Sequence, residues 1–178
     1  MSAFLFPDNT VLCNFAAVER LGLLREVLDG RGRWTEAVAR EARKSARWHP
    51  ALRDLSWQGW LGEAIRVKDQ SERASILRIR TAVFGGSADD IFEHLGEAET
   101  CHVIGNWGEF DGSCWISDDR ESLHHAREEG IETAETLDVV RLAVKEGLIT
   151  AEGGFDLMHQ MRDKGRHPRM PQSVAELT

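Results

Sequence analysis

The chain has 178 residues, 42% of them apolar and 29% charged, with a net charge of −8. This length suits one domain spanning residues 1–178, and the composition excludes an extended disordered chain. A strongly acidic chain is a poor general coat for nucleic acid, and no apolar run reaches the about 18 residues that a membrane span needs. The three cysteines form no CxxC pair, so we expect a reduced, cytoplasmic protein.

Short apolar runs alternate with helical patterns along the chain. We predict strands over residues 4–6, 113–117 and 131–134, and residues 64–67 are consistent with one more. Helices are predicted over residues 11–28, with a break around Gly22, from the N-cap Thr35 to about Trp48, and over residues 71–84. Two more are predicted to begin after Ser87 and near Gly96. Another is predicted between Asp119 and Gly130, and helices are predicted through most of the remaining chain. This alternation predicts a three-layer α/β/α sandwich around a mainly parallel central sheet.

Two of the predicted strands run directly into acidic residues. Residues 4–6 lead to Asp8, and residues 113–117 lead to Asp118 and Asp119. In open parallel sheets the functional crevice lies at the carboxyl ends of the strands. Two carboxylates about 4 Å apart repel by roughly 4 kcal/mol at an effective dielectric near 20. Converging acids without a cation would therefore have sharply raised pKa values, and a hard divalent cation resolves the conflict. Mg²⁺ prefers such oxygen ligands and is suited to the hydrolysis of phosphodiester bonds. The alternative is that Asp8 or Asp118, taken alone, only caps the helix that follows it.

Four short motifs resemble those of PIN-domain nucleases. The run Phe4–Leu12 resembles the opening strand and first acid of that family, and Val38–Glu41 resembles the helix of the second acid. Residues 95–99, Leu-Gly-Glu-Ala-Glu, resemble the third-acid helix in its "GE" variant, and residues 116–120 resemble the strand and the fourth acid. The resemblance in order and spacing extends over residues 3–165.

This resemblance implies a PIN fold and the activity of a metal-dependent endoribonuclease. The metal would be Mg²⁺ or Mn²⁺, and the implied catalytic and metal-ligating acids are Asp8, Glu41, Glu97 and Asp119, with Asp118 as a supporting ligand. Glu97 and Glu99 diverge by about 200° on a helix, so both cannot readily face the site. The family pattern favours Glu97, and it favours Asp119 over Asp118. Many small bacterial members, the VapC-type ones included, are toxins held inactive by an antitoxin, and homodimers are common.

The chain departs from the family pattern at three places. The small hydroxyl residue that usually follows the first acid is displaced to Thr10, behind Asn9. The usual Gly-Thr step before a late helix is Glu135-Thr136, which adds an acid beside the expected site. Residues 48–87 are longer and richer in tryptophan than a minimal toxin needs. These departures weigh against the toxin more than against the fold.

Basic side chains are the expected contacts to RNA phosphates. Residues 31–53 carry seven basic and two acidic side chains, whereas residues 86–138 carry fifteen acidic and two basic ones. The candidate RNA-binding residues are Arg40, Arg43, Lys44, Arg47 and Arg120. The first four lie on the predicted helix of Glu41, where Arg40, Lys44 and Arg47 share a face. A basic face that is simply solvated is the alternative.

Three alternative interpretations remain open. A PIN-like scaffold without catalytic activity would bind RNA or a protein partner, and the overall acidity together with Glu135 favours it. The cationic tail from Arg162, which includes residues 166–178, would instead dock a partner. The tryptophans Trp48, Trp57 and Trp60 would stack on bases or, as is more common, fill a core or a subunit interface.

Overall fold

Three short parallel strands form the central sheet of the computed structural model, which describes residues 3–178. The strands are β1 (Leu5–Pro7), β2 (Cys114–Ile116) and β3 (Glu132–Ala134), and they lie in the order β1-β2-β3. Leu5 pairs with Cys114, which pairs with Glu132. Because the strands are parallel and in register, their carboxyl ends meet at one edge of the sheet.

Helices connect the strands and make up most of the fold. They are α1 (Asn9–Ala17), α2 (Leu21–Leu28), α3 (Glu36–Ser45), α4 (Leu55–Gln58), α5 (Gln70–Ala82), α6 (Leu95–Asn106), α7 (Arg120–Glu128), α8 (Thr136–Lys145) and α9 (Ala151–Asp163). Within the described range, no helix is both long enough and apolar enough to cross a membrane.

The two faces of the sheet are covered by separate hydrophobic cores. Leu5 and Ile116 face a core built with α1, α2, α3, α8 and α9. Phe6 and Trp115, the alternate residues of the same strands, face a second core built with α5, α6 and α7. Successive side chains of a strand point to opposite faces, so two covered faces produce three layers. The predicted α/β/α sandwich with a parallel sheet is confirmed.

The helix that carries Glu41 begins where the sequence indicates. The Thr35 hydroxyl accepts a hydrogen bond from the Val38 N–H at 3.4 Å and caps α3. The break between α1 and α2 lies at residues 18–20 instead of at Gly22, which is inside α2. The predicted N-cap of α3 is therefore confirmed.

Two predicted elements are wrong. Residues 64–67 form no strand. Ile65 makes one isolated bridge with Thr35, and no neighbouring residue pair continues it into a ladder. No helix follows Ser87, and residues 88–94 form turns before α6. The Ser87 hydroxyl accepts from the Asp89 N–H, and the Asp90 carboxylate accepts from the Phe92 N–H. These local hydrogen bonds compete with those of a helix.

Candidate active site

Asp8 is the first acid of the candidate site and lies immediately after β1. It is the N-cap residue of α1, and its side chain is buried, with 4% of the residue exposed. The Thr10 hydroxyl donates to Asp8 Oδ2 at 2.7 Å, and the Ser117 hydroxyl approaches the same oxygen at 3.4 Å. The hydroxyl that is displaced to residue 10 therefore still reaches the first acid.

Three carboxylates from three elements, those of Asp8, Glu41 and Glu97, are near enough at this edge of the sheet to influence one another's ionisation. Burial, together with the charge of Glu97, raises the pKa of Asp8 from 3.8 to about 6. Burial, followed by the charges of Asp8 and Glu97, raises the pKa of Glu41 on α3 from 4.5 to about 8. Asp8 is buried and Glu41 is partly buried, and both carboxyl groups therefore resist ionisation because they are shielded from solvent and because the other acids are close.

Gly96 holds the second acid from the start of α6. Its backbone faces the Glu41 carboxylate and lowers the pKa of that group, against the burial that raises it. A Cβ at this position would lie 2.7 Å from Glu41 Oε1, which is closer than carbon and oxygen atoms normally approach. The glycine of the "GE" pair thus makes room for one acid while the next residue, Glu97, supplies another.

Glu97 and Glu99 point in different directions, as their spacing on a helix requires. Glu97 lies beside the ring of His94, with Nδ1 and Oε1 3.2 Å apart. Glu99 instead accepts a hydrogen bond from the Ala37 N–H at 3.0 Å and ties α6 to the first turn of α3. Of the two, the structure places Glu97 with Asp8 and Glu41.

Asp118 and Asp119 follow β2 and form a second acidic group. Asp118 Oδ1 accepts from the Thr136 N–H at 2.9 Å, and its Oδ2 accepts from the Thr136 hydroxyl and the Asn14 amide, both at 2.6 Å. Burial raises the pKa of Asp118, and these hydrogen bonds oppose the rise. Asp119 Oδ1 accepts from the Ser122 N–H at 2.7 Å and caps α7. Asp118 is therefore committed to internal hydrogen bonds, whereas within residues 3–178 Asp119 Oδ2 accepts none, and Asp119 lines a cleft with Thr10 and Asp118.

Glu135 is held by an ion pair within the chain. Its Oε2 lies 2.7 Å from Nε of Arg169, and the Glu135 side chain also takes part in the capping box that starts α8. Arg169 lies 3.8 Å from Asp138 and 3.5 Å from Glu176 as well. The extra acid is thus neutralised by a cation of the C-terminal segment, which folds back onto the domain.

The donor set fits a hard divalent cation. Carboxylate oxygens are the ligands that Mg²⁺ and Mn²⁺ prefer, and a cation would relieve the repulsion that raises the pKa values of Asp8 and Glu41. Among residues 3–178, no three His, Cys, Asp or Glu side chains are close enough to enclose an ion by themselves. Mg²⁺ keeps several waters and needs only one or two carboxylates, so an open set of acids is compatible with it.

The predicted RNA-binding cations occupy the outer surface of α3 and the start of α7. Arg40 and Lys44 lie over the ring of Phe92, at 4.6 Å and 5.1 Å from its centre. The guanidinium of Arg47 lies 5.2 Å from the ring centre of Trp48. Arg43 and Arg120 are exposed, and Arg120 is the first residue of α7. Sequence reasoning missed Phe92, because nothing local shows that residues 88–94 fold against α3.

Arg166 and Asn14 are functional candidates that sequence reasoning also missed. Both line a cleft with Thr10, Asp118 and Asp119. The Arg166 Nε–H donates to Asn14 Oδ1 at 2.8 Å. The cluster of cations between residues 162 and 169 was the available signal, but only the fold shows which one reaches the cleft.

Comparison with known proteins adds an independent line of evidence. A family model described as a PIN domain matches residues 6–176, which is nearly the whole chain. No curated protein and no solved structure matches it. The matched range includes every acid of the site described above. The chain belongs to the PIN-domain family.

Proposed function

We propose that the protein is a metal-dependent endoribonuclease that hydrolyses RNA phosphodiester bonds. PIN domains are generally nucleases, and they typically use divalent metals. The observation that carries the proposal is the meeting of Asp8, Glu41 and Glu97 at the carboxyl edge of the sheet, where burial and mutual repulsion raise the pKa values of the first two. An arrangement this unfavourable for the metal-free protein is typical of an ion-binding site.

In this proposal each acid has a defined role. Asp8, Glu41, Glu97 and Asp119 hold Mg²⁺ or Mn²⁺, with Asp118 behind them as a supporting group. When bound, the ion supplies positive charge for the scissile phosphate and activates water for attack. The protein keeps the ligands in place: the Thr10 hydroxyl donates to Asp8, and the absence of a side chain at Gly96 leaves space for the Glu41 carboxylate. The hydrogen bond fixes which oxygen of Asp8 faces the site.

RNA is the proposed substrate, and the cations on α3 and α7 are its proposed phosphate contacts. Arg43, Lys44 and Arg47 lie on or directly after the helix that carries Glu41, so a strand bound along this helix would reach the acids. Phosphate contacts from one helix position a nucleic acid without reading its sequence. Phe92 and Trp48, which these cations contact, offer ring surfaces to unpaired bases.

A protein partner is a further part of the proposal. An antitoxin or a second copy of the chain would cover exposed apolar side chains, and large ones are present: Trp48, Trp57, Leu77, Val83, Ile91, Phe92 and Leu148. Trp57 is 89% exposed, whereas Trp60 packs in the core. Exposed apolar groups of this size support an interaction surface. Light scattering on the purified chain, with and without a Trp57→Ser substitution, tests whether that surface joins two copies.

The alternative, a PIN-like scaffold that binds RNA without cutting it, has less support in the structure than in the sequence. The acid that favoured it, Glu135, is paired with Arg169 and serves as the cap of α8. The charge of Glu135 still raises the pKa of Asp118, but its pairing with Arg169 removes the reason to regard it as an extra charge that displaces the metal.

Cleavage of RNA by matched variants tests the proposed function. Wild-type protein, Asp8→Asn and the control Asp163→Asn are incubated with total cellular RNA in Mn²⁺ and in EDTA. Asp163 is a suitable control because its side chain is 71% exposed and ends α9, away from the acids. We expect discrete fragments from wild-type and Asp163→Asn protein in Mn²⁺ alone, and none from Asp8→Asn. Equal cleavage by Asp8→Asn would contradict the proposed site, and RNA that stays intact with wild-type protein would favour the scaffold.

A further inference from the structure

The end of α9 fixes the position of Arg166. Gly165 adopts a left-handed backbone conformation, with a φ of 75°. The Arg166 N–H donates to the Met161 carbonyl at 3.0 Å, and the Gly165 N–H donates to the Arg162 carbonyl at 2.9 Å. This pair of bonds is a Schellman motif, which ends a helix and reverses the chain. The backbone therefore returns Arg166 toward α1.

A chain of hydrogen bonds connects Arg166 to the second acidic group. Its Nε–H donates to Asn14 Oδ1 at 2.8 Å, and the Asn14 amide donates to Asp118 Oδ2 at 2.6 Å and to the Thr136 hydroxyl at 3.0 Å. Asn14 is 2% exposed, so this connection lies inside the protein. The guanidinium plane is thereby held by its Nε edge.

The rest of the guanidinium faces the cleft. Nη2 lies 3.5 Å from the Thr10 carbonyl oxygen, and within residues 3–178 Nη1 donates no hydrogen bond. Among the described residues that line this cleft, Arg166 has the one permanent positive charge, and Asp118 and Asp119 are the negative ones. Arginine presents several donors in a fixed plane that matches the oxygens of a phosphate.

The charge of Arg166 also influences two other residues, one on α1 and one after α3. Its charge acts on Cys13 of α1, a residue that the charges of Asp8 and Glu41 also reach. The same charge acts on His49, which follows the basic turn at the end of α3. The positive charge of Arg166 is therefore within range of α1 and of the segment that follows α3.

We propose that Arg166 forms a phosphate-binding subsite for single-stranded RNA in the cleft beside Asp118 and Asp119. The assignment of RNA as the ligand of this subsite rests on the proposed function. The Schellman turn and Asn14 position the guanidinium before RNA binds, and its Nη atoms contact a phosphate next to the acids. This role differs from that of the α3 cations, which lie on the outer surface and stack on aromatic rings.

RNA binding in the absence of divalent metal tests the subsite separately from cleavage. The probe is a fluorescein-labelled oligouridine in EDTA, and the variants are Arg166→Ala, Arg166→Gln and the control Arg162→Gln. The glutamine substitution retains a donor for Asn14 without the charge, and Arg162 is an exposed cation on the last turn of the same helix. We expect both Arg166 variants to bind about tenfold more weakly, the effect of one charged hydrogen-bonded contact.

The dependence of binding on salt provides a second measurement. Loss of one phosphate contact lowers the slope of log K against log salt by about 0.7 for a single strand, and Arg162→Gln should leave both the affinity and the slope near those of the wild type. If Arg166→Gln lowers the melting temperature but binds RNA as the wild type does, Arg166 only anchors the chain end and the proposal is wrong. The proposal is also wrong if wild-type protein does not bind the probe. Binding without cleavage would contradict the nuclease and leave the subsite supported.

Discussion

Gly96 leaves space for the carboxylate of Glu41, and its backbone lowers the pKa of that group. A Cβ at residue 96 would lie 2.7 Å from Oε1 and 3.1 Å from the carboxyl carbon. A side chain at residue 96 would therefore displace the Glu41 carboxylate, the flexible end of the second acid.

Gly96→Ala should move the Glu41 carboxylate and weaken metal binding by about tenfold or more, the usual cost of disturbing a group that orients a ligand. Gly105→Ala is a matched control on the same helix, because a Cβ there would be 3.9 Å from the nearest atom, a side-chain carbon of Ile131. Titration of Mn²⁺ by calorimetry measures both. Equal affinity for the two variants would show that the contact does not position Glu41.

The stability of the metal-free protein should fall as pH rises. The pKa of Glu41 is about 8 in the folded chain and about 4.5 in the unfolded chain, so between these values the folded chain holds more protons. The contribution of Glu41 to the free energy of unfolding is then fully present below pH 4.5 and is lost as pH rises through about 8. Asp8, with its pKa raised to about 6, adds to the fall at the acidic end of this window.

Glu41→Gln removes this titration and should flatten the profile. Each pKa unit corresponds to about 1.4 kcal/mol at most, so in EDTA the variant should melt several degrees higher than the wild type at pH 8. Thermal unfolding in EDTA at pH 5, 6, 7 and 8 provides the comparison. If the melting temperatures of the two proteins changed with pH in the same way, the pKa of Glu41 would not be raised in the metal-free protein.

Asp118→Asn and Asp119→Asn should have different consequences. Asp118 accepts three hydrogen bonds, and the amide group of an asparagine would face one of those donors. That mismatch costs about 1–3 kcal/mol, which lowers the melting temperature by about 2–4 °C for each kcal/mol. Asparagine remains a good N-cap at residue 119, so this variant should melt like the wild type and lose metal-dependent cleavage. The reverse pattern would assign the ligand role to Asp118.

Reversing the charge of Lys44 and Arg47 should weaken RNA binding and reduce its dependence on salt. Both side chains lie at the surface, so the substitutions to glutamate leave the core intact. Arg25→Glu is the control, since Arg25 is exposed on α2. Fluorescence anisotropy with an RNA oligonucleotide at several salt concentrations measures the change. An unchanged affinity and salt slope would show that this surface of α3 does not contact RNA.

Features set by nearby residues could be predicted from the sequence, and features set by distant contacts could not. The apolar runs identified the three strands, and Thr35 marked the start of α3, because both signals are local. The divergence of Glu97 and Glu99 could also be predicted, because it depends only on their spacing along one helix. The role of Asp118 could not be predicted, because its partners Asn14 and Thr136 lie on other helices. Arg166 reaches the cleft through a turn that the sequence shows only as a glycine.

Binding of Mn²⁺ at pH 8 by wild type, Asp8→Asn and Asp163→Asn is the most direct test of the central claim, that Asp8, Glu41 and Glu97 form a divalent-metal site. Electron paramagnetic resonance measures the free ion directly and needs neither substrate nor turnover. We predict that wild-type and Asp163→Asn protein deplete the free-ion signal equally. Asp8→Asn should bind Mn²⁺ at least about tenfold more weakly, since even the loss of a group that only orients a metal ligand weakens metal binding by that factor. Equal depletion by all three proteins would contradict the claim.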